Sequence, residues 1–201
     1  MPINRIVKPV PITSKRRFAQ LEKNRKEINR LNRQRAKAME KRVARYLDGT
    51  QTPQSGAGSA KGDILIDFKN RPGKYMIECK LSSGTKDGIG VVTFYKLWFA
   101  KMYKDAKAMR ALFPVLVYHY HNRQGDFVYV PKEGLSKLGI ELDESVITYT
   151  RTLNTTAKSF DVTETNSAPT KKPPFYSLLI LNDVVYYNMT LEYYRDLLKE
   201  I

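Results

Sequence analysis

Residues 62–80 read Gly-Asp-Ile-Leu-Ile-Asp-Phe-Lys-Asn-Arg-Pro-Gly-Lys-Tyr-Met-Ile-Glu-Cys-Lys. Ile64, Leu65, Ile66 and Phe68 make one apolar β run and Tyr75 to Leu81 a second, with Arg71-Pro72-Gly73-Lys74 as the turn between them. Side chains on a strand alternate faces with period two. Glu78 and Lys80 therefore share one face, and Cys79 points the other way into a core. If strand pairing sets Asp63 beside them, two carboxylates and an ammonium converge. Such a group can hold a divalent cation and activate water against a phosphodiester. The plain alternative is an acid and a Glu-Lys pair on exposed strand faces. Ile64, Ile66, Met76 and Ile77 speak for buried strands instead, where charged side chains need a reason.

Working outward, residues 48–62 are a small-residue loop leading into Asp63, of the kind that lets backbone approach a phosphate. Upstream, Thr13 or Ser14 can cap a helix running to about Leu47. Its apolar stripe is thin up to Leu31 and better from Met39 onward. The helix thus divides into a basic arm, residues 1–35 with the preceding prolines, and a packed segment carrying Glu40. Downstream, Ser82 to Gly90 reads as a polar loop. Helical spacing of Phe94, Leu97, Trp98, Met102, Ala106, Met109 and Leu112 predicts a helix over 93–112. Strands follow at 114–120 and 127–130. The expected fold class is α/β, a central mixed β-sheet flanked by helices, with the core at 36–131. Residues 132–201 form a C-terminal extension packing on that core. Its Thr-, Ser- and Pro-rich stretch 148–174 reads as a long loop, 175–187 as one or two strands broken near Asn182-Asp183, and Thr190 as the cap of a last helix.

The formal net charge is +15 over 201 residues, and its position is informative. Residues 1–47 hold 15 Lys and Arg against 3 Asp and Glu. A polyanion, nucleic acid first, is the natural partner, with a solvated basic face or an anionic membrane surface as the alternatives. There is no apolar run near about 18 residues, and the N-terminus lacks the apolar segment of a signal peptide. The single cysteine forms no internal disulfide, and no cysteine-based zinc site can be built. A cytoplasmic location is expected.

The run Ser55-Gly-Ala-Gly-Ser-Ala-Lys-Gly-Asp63-Ile, then Ile77-Glu78-Cys79-Lys80, then Phe113-Pro-Val-Leu-Val117 and Gly125-Asp-Phe-Val-Tyr-Val-Pro131, resembles the PD-(D/E)xK nuclease superfamily. Within it the chain is most similar to the Holliday junction resolvases of archaea and their phage relatives, over about residues 36–131. The resemblance implies a restriction-endonuclease-like core and a magnesium-dependent endonuclease, manganese substituting, that acts on four-way DNA junctions as a homodimer. It implies Asp63, Glu78 and the upstream Glu40 as metal-binding carboxylates, with the Cys79 backbone carbonyl as a further ligand, and Lys80 as the residue that positions the attacking water. Ser59 matches a serine of the family's loop. Ser55 stands where the family often has arginine, so phosphate contact there falls to Lys61 or the arm. The namesake proline is Gly62 here.

DNA contacts are therefore expected from Ser55, Ser59 and Lys61 in the loop, Lys101 on the helix after the acid cluster, and Arg16, Arg17, Arg25, Lys26, Arg30, Arg33 and Arg35 in the arm. His119 and His121 form a His-x-His pair without an evident third metal ligand and read as a surface or DNA-facing pair. Two further functions stay open: a nuclease of the same superfamily acting on branched DNA in repair or viral genome processing, and a non-catalytic basic DNA-binding protein.

Overall fold

In the computed structural model, residues 14–52, 62–68, 73–81, 84–86, 89–120, 125–153, 158–163 and 176–201 are described. The chain forms two compact units, Met1–Arg35 and Ala36–Ile201. In chain order the elements are α1 (Ser14–Tyr46), β1 (Thr50–Gln51), β2 (Ile64–Asp67), β3 (Lys74–Leu81), β4 (Gly84–Lys86), β5 (Ile89–Tyr95), α2 (Lys96–Ala108), β6 (Pro114–His119), β7 (Phe127–Pro131), α3 (Lys132–Lys137), β8 (Ile147–Leu153), β9 (Ser159–Thr163), β10 (Tyr176–Leu181), β11 (Val184–Thr190) and α4 (Leu191–Lys199).

The fold is α/β. Eight strands make one mixed sheet in the order β1-β2-β3-β6-β7-β11-β10-β8, and β4-β5-β9 form a small second sheet. The pairs β3–β6 and β8–β10 are parallel and the rest of the large sheet is antiparallel. Both parallel pairs need crossovers. The β3–β6 crossover carries β4, β5 and α2, and the β8–β10 crossover carries β9, which pairs with β5. The small sheet thus joins the two excursions.

Period-two alternation divides the core into two layers. On one face Ile64, Ile66, Tyr75, Ile77, Val115, Val117, Val128, Val130, Tyr187 and Met189 pack against Met39, Val43 and Ala44 of α1, against Leu47 just after it, and against α3 and α4. On the other, Met76, Leu116, Tyr118, Tyr129, Leu179 and Tyr186 pack against Val92, Phe94, Phe160 and Val162 of the small sheet and Phe99, Met102 and Ala106 of α2. Phe94 stands at the centre of the second layer, with the rings of Tyr118, Tyr129 and Phe160 at 5.3–5.6 Å.

The structure departs from the sequence reading in three places. The expected helix start at Thr93 is strand: Val91 to Tyr95 is β-branched or aromatic throughout, and α2 begins only at Lys96. The expected 82–90 loop contains β4 and the start of β5. The expected long loop 148–174 contains most of β8 and all of β9, because the alternating threonines of Ile-Thr-Tyr-Thr-Arg-Thr-Leu are strand formers rather than loop formers. The remainder of that stretch lies outside the described residues. Residues 132–201 contribute β8, β10 and β11 to the large sheet itself, with β11 paired to β7. The turn between β10 and β11 is made by Asn182 and Asp183, both at positive φ, which is the two-residue geometry that suits strand twist. Thr190 caps α4, its Oγ1 accepting from the Tyr193 N–H at 3.2 Å.

Within the first unit, the described stretch 14–35 is helix. Leu21, Ile28 and Leu31 of the thin stripe are exposed.

Candidate active site

Gly62 introduces the site. Its φ is +74°, and a Cβ there would collide with the Met76 side chain. Its carbonyl accepts from the Thr52 hydroxyl at 2.5 Å, which pins the chain just before Asp63. Asp63 itself donates its N–H to the Ile77 carbonyl at 2.9 Å and accepts from the Thr52 N–H at 3.0 Å. The β2–β3 register pairs Ile64 with Ile77, so Asp63 continues it opposite Glu78.

Beyond that point β3 outruns β2. Glu78, Cys79, Lys80 and Leu81 are paired to Leu116, Val117, Tyr118 and His119 of β6, while the β2 ladder ends at Ile77. The Asp63 carboxylate takes the place of the missing ladder partner: its Oδ2 accepts from the Cys79 N–H at 2.6 Å. An extended residue points its N–H and C=O to the same side of the strand. The Cys79 carbonyl therefore faces the edge where Asp63 sits. The Cys79 side chain packs against the α1-side layer, as strand parity requires, and burial followed by the nearby Asp63 raises its thiol pKa.

Glu78 and Lys80 lie together on the opposite face. Lys80 Nζ donates to Glu78 Oε1 at 2.5 Å, and their side chains are only 24% and 14% exposed. Lys80 Nζ also stands 4.9 Å from the centre of the Trp98 ring, a cation–π contact that limits where the ammonium can go. Trp98 was not foreseen as a partner of Lys80. Its place at the first turn of α2 was the available signal.

Glu40, half-buried on α1, completes the group. Burial raises its carboxyl pKa, Glu78 adds to the rise, and Lys37 and Lys80 oppose it. Asp63 is raised from 3.8 to about 7 by burial and then by Glu78. The Cys79 N–H lowers it, Glu40 raises it, and Lys80 lowers it. Three carboxylates and one buried-edge ammonium thus share one field, with too little positive charge among them. Among the described residues, no three His, Cys, Asp or Glu side chains are already drawn into a cation cage. Glu78 is turned to Lys80, and Asp63 Oδ2 to Cys79. The donors available are hard oxygens short of counter-charge, which suits magnesium or manganese retaining several waters.

The expected DNA contacts separate into groups. Ser55, Ser59 and Lys61 lie outside the described residues. Lys101 is exposed on α2, its Nζ 3.6 Å from Asp105 Oδ2. Arg25, Lys26, Arg30, Arg33 and Arg35 are exposed in the first unit, with Arg30 paired to Glu27. Arg16 and Arg17 lie on the same helix, their side chains outside the description.

Sequence reading also missed a clamp. Arg42, two residues after Glu40, grips the buried Asp126 through two bonds of 2.7 and 3.1 Å. His119 Nδ1 lies 3.0 Å from Asp126 Oδ1 and 2.9 Å from the Gly125 carbonyl. Both are acceptors, so Nδ1 carries the proton. Burial pushes the Asp126 carboxyl upward, but His119 and Arg42 prevail and hold it below its usual range. His119 is thus a structural partner of Asp126 at a partly exposed position. His121 lies outside the described residues. The clamp ties α1 to the β6–β7 connection and so holds Glu40 on its side of the site.

No known family model matches the chain, and searches of characterised proteins and of solved structures find no match. Among the described residues, no helix is long and apolar enough to cross a membrane.

Proposed function

We propose that the chain is a magnesium-dependent endonuclease of the PD-(D/E)xK type that hydrolyses a phosphodiester in branched DNA, with the four-way junction of recombination and repair as its substrate. The observation that carries this is the common field of Glu40, Asp63, Glu78 and Lys80 at the open end of β3. A divalent cation, when bound, would polarise the phosphate and make a bound water more acidic. Glu40, Asp63, Glu78 and the Cys79 carbonyl are the groups that would hold it. Lys80 carries three donors. One is engaged by Glu78, and the others are available to orient a water toward phosphorus or to neutralise a phosphate oxygen. The water oxygen bonds to phosphorus as the phosphorus–oxygen bond to the leaving sugar breaks.

The exposed arginines and lysines of the first unit fit DNA backbone, and two symmetric nicks call for a homodimer with its sites about a two-fold axis. Such an enzyme works in the cytoplasm, the host's if the source is viral. The test is cleavage-product mapping with magnesium on a synthetic four-way junction, a flap, a plain duplex and a single strand. Paired symmetric cuts in the junction are expected. Scattered cuts, or equal cutting of the flap, would replace junction resolution by a general branched-DNA nuclease. The hold of Lys80 on Glu78 favours one reading of another class, a basic DNA-binding protein without catalysis. Binding without any cutting in magnesium or manganese would select it.

A further inference from the structure

We infer that Tyr95 and Leu97, at the junction of β5 and α2, form an apolar post that receives an unstacked base of the DNA strand held at the Lys80 site. This deepens the nuclease reading and rests on it.

Strand parity starts the argument. Val92 and Phe94 of β5 point into the core, which turns Tyr95 outward at the strand's last residue. The helix begins immediately, and its buried residues are Phe99, Met102, Asp105 and Ala106, so Leu97 is thrown to the opposite side. The result is a Leu at 78% exposure beside a Tyr at 45%. Both are large apolar groups that the core does not use. They adjoin Trp98, whose ring centre is 4.9 Å from that of Tyr95 with 60° between the planes. Trp98 in turn carries the Lys80 ammonium. The apolar post and the catalytic lysine are therefore joined through one indole ring.

The surroundings name the occupant. Lys101 and Lys104 are exposed on the same face of α2 as Leu97, about 6 and 10 Å further along the helix axis. An apolar post with a lysine at one end and two lysines along the ridge complements a nucleic-acid strand, which offers phosphates and π-faces together. A protein partner with acidic side chains would match the lysines but would leave no reason for the tie to Lys80.

Trp98 is the chain's single tryptophan, so its emission reports on this place alone. The probes are a thymidine oligonucleotide and an abasic oligonucleotide of equal length, titrated into the full chain without metal. The expected result is that the thymidine strand quenches Trp98 strongly and binds about tenfold more tightly than the abasic strand. The Tyr95→Ala/Leu97→Ala double variant should lose that difference, still bind the abasic strand as before, and keep the parent's cooperative thermal unfolding, which shows that its core is folded. Equal quenching by both strands, or a double variant that keeps the preference, would overturn the inference. Magnesium cleavage of a junction is scored separately. Base-dependent quenching without cleavage would sink the nuclease reading alone, and cleavage without base-dependent quenching would sink the post alone.

Discussion

Asp63→Asn should make the metal-free protein more stable at pH 8 and leave it unchanged near pH 4. Folding raises the Asp63 carboxyl from 3.8 to about 7, chiefly through burial and then through Glu78. A carboxyl raised in the folded state binds more protons there than in the unfolded chain, so stability falls as pH rises between the two values. Below about pH 4 both states are protonated and the penalty vanishes. Above about pH 7 both are ionised and the penalty is complete. A rise of about 3 units at ~1.4 kcal/mol each gives a gross cost of ~4 kcal/mol. The Cys79 N–H bond to the carboxylate is already contained in the folded value, and asparagine keeps an acceptor for it. The gain at pH 8 is therefore ~4 kcal/mol, or roughly 8–16 °C in Tm for a chain of this size.

The assay is thermal unfolding of both proteins from pH 4 to 8, with and without magnesium. The gain should grow with pH. Magnesium should raise the wild-type Tm, because it supplies the missing positive charge, and should leave the variant nearly unmoved. A variant less stable at every pH would refute the account of Asp63 as a strained, charge-crowded group. Wild-type stability that ignores magnesium would leave the burial argument intact and remove the metal from it.

Asp63→Ala, Glu78→Ala and Lys80→Ala should each reduce junction cleavage by about a thousandfold or more with DNA affinity nearly unchanged, read by single-turnover cleavage beside gel-shift binding. Near-normal cutting by any one would reassign the site. Deleting residues 1–35 should flatten the salt dependence of DNA binding: if the arm covers about 6–10 phosphates, it accounts for a log–log slope of about −5 to −9. An unchanged slope would give the arm another role. Arg42→Ala leaves the buried Asp126 with His119 alone and should cost about 2 kcal/mol in denaturant unfolding. Asp126→Asn should cost less, and an Arg42→Ala variant as stable as the parent would mean that the clamp contributes nothing to the fold.

Local chemistry in the sequence determined much of this architecture. Alternation in residues 62–80 specified two strands and placed Cys79 opposite Glu78 and Lys80, since a strand has one possible parity. The 3.6-residue spacing specified α1, Thr190 specified the start of α4, and Asn182-Asp183 a turn. The same local rules misread 93–95, 148–153 and 159–163. There β-branched and aromatic residues favour strand over the helix and loop readings, and the pairing of β5 with β9 and of β8 with β10 realises that preference. Tertiary structure alone decided which charges meet. Arg42 and Asp126 are 84 residues apart, and Lys80 and Trp98 are joined across a crossover. No periodicity encodes such pairs, because they depend on which strands neighbour each other. Asp63, Glu78 and Lys80 were legible as residue types. The field they share with Glu40, and the ending of β2 that leaves β3 open at Cys79, arise only when the sheet is assembled and water is removed from around them.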